Sequence, residues 1–207
     1  MRNCQIQIHA IGDRGNQMVL NAYEKAYKDF PKKDLRWRIE HAQNVIEVDR
    51  KRFKDLNIVA SMQPSHAIGD LHFAEDRLGF ERLSNAYTWK SFIDDGVVVV
   101  GGSDAPVEVG DTIIEFYAAV TRKDLDGYSN EGWNLQQALS RKEALAIFTK
   151  WPAYAIFKEE KLGTLEIGKL ADITIFDQDI MTIPNEDILA TKVVMTVVGG
   201  KIVYING

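Results

Sequence analysis

Four residues carry most of the chemistry this 207-residue sequence offers. His9, His41 and Asp104 each stand at or just past the end of a strand-like run, and His66 follows another such run closely. In a parallel arrangement all strand C-termini open onto one edge, so these side chains would converge despite their separation in sequence. Neutral imidazoles and a carboxylate form a ligand set for zinc, iron or manganese at a hydrolytic centre. Each residue also has a plain reading. An isolated histidine at a strand end is commonly a hydrogen-bonded core or loop residue, and a Ser-Asp pair before proline commonly caps a turn. The weight lies in three strand-terminal ligands recurring in register.

The elements that must position them read as follows. Val97–Val100 is a β-branched run without polar alternation, the pattern of a strand buried on both faces. Gly101 and Gly102 follow, and Pro106 forbids continuation of the ladder. Gln5–His9, Leu35–His41 and Ile58–Gln63 are the earlier strands. Between them fall helices from Asn16 to a stop at Pro31, over Val45–Leu56 and over Asn85–Asp94. Ala67–Arg82 is a long irregular segment on the side of His66, carrying His72 as a loop residue. Helices are expected over Thr112–Thr121, Leu135–Lys150 and Ala153–Lys158. From Leu162 the period shortens to short strands, and Gly199-Gly200 marks a hairpin. The first 150 residues therefore read β-α-β-α-β-α-β-α, an α/β fold, followed by a separate β-rich tail.

The composition is that of a globular domain, with 45% hydrophobic and 27% charged residues. A net charge of -5 with interspersed signs argues against a nucleic-acid partner. The single cysteine, Cys4, excludes an intramolecular disulfide. There is no apolar run of membrane-spanning length, and a cytoplasmic location is expected. A nucleotide-binding unit is disfavoured, because Gly101-Gly102 leads to an acid and a proline rather than a phosphate loop.

The segments His9-Ala10-Ile11-Gly12-Asp13, Ile39-Glu40-His41-Ala42-Gln43, Ser61-Met62-Gln63-Pro64-Ser65-His66 and Gly102-Ser103-Asp104-Ala105-Pro106-Val107-Glu108 resemble, in that order, the C-terminal half of the amidohydrolase superfamily. The amidohydrolase-3 group, with its N-substituted formamide deformylase-like enzymes, is the branch they resemble. Leu162–Ile173 and Thr196–Tyr204 are similar to the return of such chains into a β-sandwich. The resemblance implies strands 5 to 8 of a (β/α)8 barrel over residues 1–160 and part of a composite β-sandwich over 161–207. It implies that His9 and His41 hold one divalent metal, zinc by preference, of a one- or two-metal centre. Asp104 would contact metal and act as general base on water, and the substrate would be a small amide-type molecule. His66 would bind substrate or stabilise the oxyanion at the mouth, or serve as a structural loop residue. Glu108 is expected to steady the turn or the next helix, Arg14 and Arg122 to be surface charges, and the four tryptophans to pack.

The family's strand 1 His-x-His pair and strand 4 bridging lysine or glutamate have no counterpart among these residues. The expectation is a C-terminal fragment of a longer hydrolase of carbon–nitrogen bonds. The alternative is a catalytically silent chain that self-associates through open strand edges.

Overall fold

The computed structural model describes residues 4–31, 34–129 and 131–206. Four short strands, β1 (Gln7–Ala10), β2 (Arg38–His41), β3 (Val59–Met62) and β4 (Val99–Gly101), form a parallel sheet in sequential order. Parallel neighbours need a crossover, and helices supply it: α1 (Asp13–Asp29) follows β1 and α2 (Glu47–Asp55) follows β2. The register sets Ala10 opposite His41, Glu40 opposite Ser61 and Met62 opposite Gly101. The strand C-termini therefore line one edge. β3 and β4 are the most thoroughly buried strands, with Val59, Ala60 and Val99 at 1% exposure or less. β1 and β4 each pair on one side only.

The connection after β3 differs from the irregular segment expected. It holds α3 (Pro64–Asp70), α4 (Ala74–Leu78) and α5 (Phe80–Leu83), and α6 (Trp89–Asp94) starts four residues later than predicted. Pro64 ends β3 as predicted, but it does so by opening α3. At the first helical turn the missing N–H costs nothing and the ring pre-sets φ.

After β4 come α7 (Thr112–Thr121), capped by Asp111, then α8 (Arg141–Phe148) and α9 (Lys150–Ala155). The single helix expected over Leu135–Lys150 is broken. Only a 3-10 turn forms at Leu135–Gln137, and α8 starts at a capping box in which Ser140 and Glu143 bond reciprocally.

The tail forms an antiparallel sheet of β5 (Ile173–Phe176), β6 (Val193–Val198) and β7 (Lys201–Ile205), with the Gly199-Gly200 hairpin between the last two. Leu165 and Ile167, expected in strands, are exposed outside any strand. The β5–β6 connection packs against the parallel-sheet unit, where Ile180 and Ile188 join the main core with Leu20, Ile39, Phe53, Trp89 and Phe92. Arg141 anchors this connection through the carbonyls of Ile180 and Ile183.

Arg122 departs furthest from expectation. It is fully buried, not a surface charge. Its guanidinium lies 4.3 Å from the Trp89 ring centre and 5.3 Å from that of Trp133. It donates to the carbonyls of Trp133 and Tyr87. Aromatic faces and carbonyl dipoles stand in for a carboxylate here, the setting in which a desolvated cation–π contact is strongest. Trp37 and Trp89 are buried packing residues, as expected.

Candidate active site

The edge formed by the strand C-termini carries all four predicted residues. His9 is the third residue of β1 and is exposed; His41 is the last of β2 and is 9% exposed. Their rings meet edge to face with centroids 4.5 Å apart. His41 is held from behind by Gln63, whose Oε1 lies 3.0 Å from Nδ1. An amide oxygen only accepts, so with Oε1 turned to the ring it is Nδ1 that donates.

His66, on α3, stacks on His41 with centroids 5.6 Å apart. Its Nε2 is 4.0 Å from Asp104 Oδ2 and 3.7 Å from Glu108 Oε1. Both spacings exceed a hydrogen bond, and the buried Nε2 has no partner among the described residues. Burial, followed by the proximity of His41, holds His66 below the ordinary imidazole range, while Asp70 and Asp104 pull it back upward. Neutral imidazole is the form able to offer a lone pair.

Two of these positions adopt the left-handed backbone that non-glycine residues rarely take. His41 has φ +74, followed by Ala42 at +43, and Asp104 has φ +57. Such residues cost on the order of 1–3 kcal/mol each and cluster at functional sites. The turn at His41–Ala42 swings the chain away at once after β2, leaving the His41 ring at the rim.

Two further acids join the site, Glu108, expected only to steady the turn or the next helix, and Asp70, which the sequence did not mark. Glu108 faces His66, and burial together with Asp70 and Asp104 pushes its carboxyl above the usual range. Asp70 accepts from the Tyr87 hydroxyl and, at 3.3 Å, from Gln43 Nε2, which also bonds the Tyr87 oxygen at 2.6 Å. Burial, then the bond to Asp70, keeps the Tyr87 phenol protonated far above its ordinary range.

Beside Glu108 opens a recess of about 240 Å³, lined among others by Ser65, Gly69, His72, Glu115 and Asp124. Glu115, 2% exposed, accepts from Ser65 N at 3.0 Å and Ser65 Oγ at 2.5 Å. His72 lies in the turn between α3 and α4, with Nε2 2.8 Å from Asp124 Oδ2 and its ring against Tyr128.

Among the described residues no three His, Cys, Asp or Glu side chains gather closely enough to hold one metal ion. The donor chemistry nevertheless suits a divalent cation. There are two adjacent imidazoles, one bonded through Nδ1 to Gln63 Oε1, and among the described residues a third imidazole nitrogen is buried without a partner. The set fits a metal and is incomplete as it stands.

Comparison with known proteins decides the family. The amidohydrolase family model matches residues 1–204. The chain belongs to the amidohydrolase family, in its amidohydrolase-3 group. The chain is 32% identical over 203 residues to the putative amidohydrolase YtcJ of Bacillus subtilis, covering 98% of the chain and 38% of the relative. It is 28% identical over 204 residues to N-substituted formamide deformylase of Arthrobacter pascens, covering 96% and 36%. Among solved structures, an uncharacterized metal-dependent hydrolase from Pyrococcus horikoshii superposes with a TM-score of 0.74 at 29% identity, over 88% of this chain and 35% of that one. The chain thus spans little more than a third of the length of the relatives it matches. Among the described residues no helix is long and apolar enough to cross a membrane.

Proposed function

We propose that this chain carries part of the active site of a metal-dependent hydrolase acting on carbon–nitrogen bonds in small amide-type molecules. The observation carrying the reading is the His9–His41 pair at the strand-end edge, with His41 Nδ1 bonded to Gln63. In this reading His9 and His41 hold a divalent ion, zinc by preference for its imidazole ligands. Such an ion supplies Lewis-acid polarisation of a carbonyl and acidifies water. Asp104 removes the proton from the attacking water, and His66 meets the substrate carbonyl. The four-stranded parallel sheet, open at β1 and β4, then represents strands 5–8 of a (β/α)8 barrel over residues 1–160. Residues 161–207 contribute to a composite β-sandwich, and further metal ligands come from outside these residues.

A second reading is favoured by the incomplete donor set and the two unpaired sheet edges. The 207-residue chain is then catalytically silent and self-associates through those edges.

The test is hydrolysis of N-formyl and N-acyl amides by the zinc-supplemented chain, beside its Asp104→Asn variant and light scattering. Turnover that falls at least about 100-fold in Asp104→Asn supports the first reading, since general-base catalysis contributes about 10²–10⁴. Stoichiometric zinc without turnover, in an oligomer, supports the second. Absence of zinc binding refutes the metal reading for this chain.

A further inference from the structure

We propose that Gln63 is a positioning residue that fixes His41 in the tautomer with its proton on Nδ1, leaving Nε2 free to take a divalent cation. The inference rests on the reading above that His41 holds metal, and it adds a residue to that site.

The geometry is specific. Gln63 is the residue between the end of β3 and Pro64, and is only 7% exposed. Its backbone is constrained on both sides. Pro64 restricts the preceding residue to extended backbone, matching φ -120 and ψ 106, and the Gln63 carbonyl accepts from His66 N at 3.2 Å. The side chain crosses from β3 to the neighbouring β2 and places Oε1 3.0 Å from His41 Nδ1. Other groups near the His41 ring are imidazoles, His9 at 4.5 Å and His66 at 5.6 Å between centroids. Among the described residues, no carboxylate pairs with the His41 ring, so the neutral amide alone selects the tautomer. A neutral acceptor does this without favouring imidazolium, whereas a carboxylate would compete with the metal by stabilising the protonated ring. The left-handed backbone at His41 leaves the ring without support from the strand ladder beyond it. The bond to Gln63 supplies that support.

The experiment uses the full chain labelled with 15N-histidine. Long-range 1H–15N correlation at a pH where imidazoles are neutral reads the tautomer of each histidine. The proposal expects His41 with a protonated Nδ1 and an unprotonated Nε2 in the metal-free chain. It expects Gln63→Glu to keep the proton on His41 Nδ1, because an acceptor oxygen remains, while raising the pH needed to reach the neutral ring. Gln63→Leu should revert to the Nε2–H form that an unbonded neutral imidazole prefers. Zinc titration by calorimetry should show affinity reduced about 10–100-fold in Gln63→Leu, the range typical for loss of a group supporting a ligand. The His66 and His72 signals act as the control for an intact fold. An Nε2–H His41 in the unaltered chain overturns the proposal without recourse to any variant. So does a folded Gln63→Leu chain with unchanged tautomer and zinc affinity. If the unaltered chain binds no zinc, the metal reading fails, while the tautomer measurement still decides the role of Gln63.

Discussion

Gly101→Ala tests how the last strand is seated beneath the site. Gly101 ends β4, three residues before Asp104, and pairs with Met62 of β3. A Cβ there would lie 2.4 Å from Phe148 Cε1 and 2.9 Å from Cδ1 and Cζ. Ordinary contact begins at 3.4 Å, so the overlap is 3.4 - 2.4 = 1.0 Å against the face of a rigid ring. Neither partner yields easily. Phe148 ends α8 and packs on the main core, and moving Gly101 would disturb the β3–β4 ladder. Overpacking of this kind costs about 1–3 kcal/mol, or about 2–12 °C in Tm for a domain of this size. Urea unfolding followed by tryptophan fluorescence measures it. Phe148→Leu removes the clashing ring, so the double variant should be more stable than the sum of the single effects predicts, by about 1 kcal/mol or more. A Gly101→Ala chain within about 0.5 kcal/mol of the unaltered protein, or strict additivity in the double variant, would refute this packing.

Two further outcomes follow from buried charges. Arg122→Ala strands the Tyr87 and Trp133 carbonyls and empties the space between Trp89 and Trp133. With each buried unpaired acceptor costing about 1–3 kcal/mol, the loss should be about 2 kcal/mol or more by urea unfolding, and a neutral result contradicts the clamp. Glu115 concerns pH. Burial, reinforced by Glu108 and Asp111 and opposed by the Ser65 bonds, raises its carboxyl above the ordinary value. The folded state therefore keeps this proton to higher pH than the unfolded state does. Stability falls as pH climbs from the ordinary glutamate value through the raised one, then levels. Relative to Glu115→Gln, the unaltered chain should lose Tm across that window. A Tm difference independent of pH would show Glu115 to be unperturbed.

The parallel sheet was legible because Val97–Val100 and Ile58–Ala60 are apolar without alternation, which few environments but a doubly covered strand accept. That the strand ends carrying His9 and His41 share one edge was legible for the same reason, since topology sends parallel C-termini to one side. Other features depend on backbone dihedrals or on contacts distant in sequence. Nothing in Glu40-His41-Ala42 announces two consecutive left-handed residues. The approach of Glu108 to His66 depends on the path of residues 102–111, and a charged Arg122 gives no local sign that two tryptophans will enclose it. The α8 boundary could have been read: Ser140 and Glu143 have capping-box spacing, but apolar periodicity from Leu135 outweighed it. Gln63 left a fainter signal, an amide at the inward end of a buried strand, next to the edge where the histidines gather.

The central claim is that His9 and His41 form the metal-holding pair. Anomalous diffraction at the zinc edge, on crystals of the zinc-supplemented chain, tests it most directly. A peak is expected about 2.0–2.1 Å from an imidazole nitrogen of each of His9 and His41, with His41 bonding through Nε2. A peak at His72 and Asp124 with the His9–His41 pair empty, or no ordered zinc at all, would contradict it.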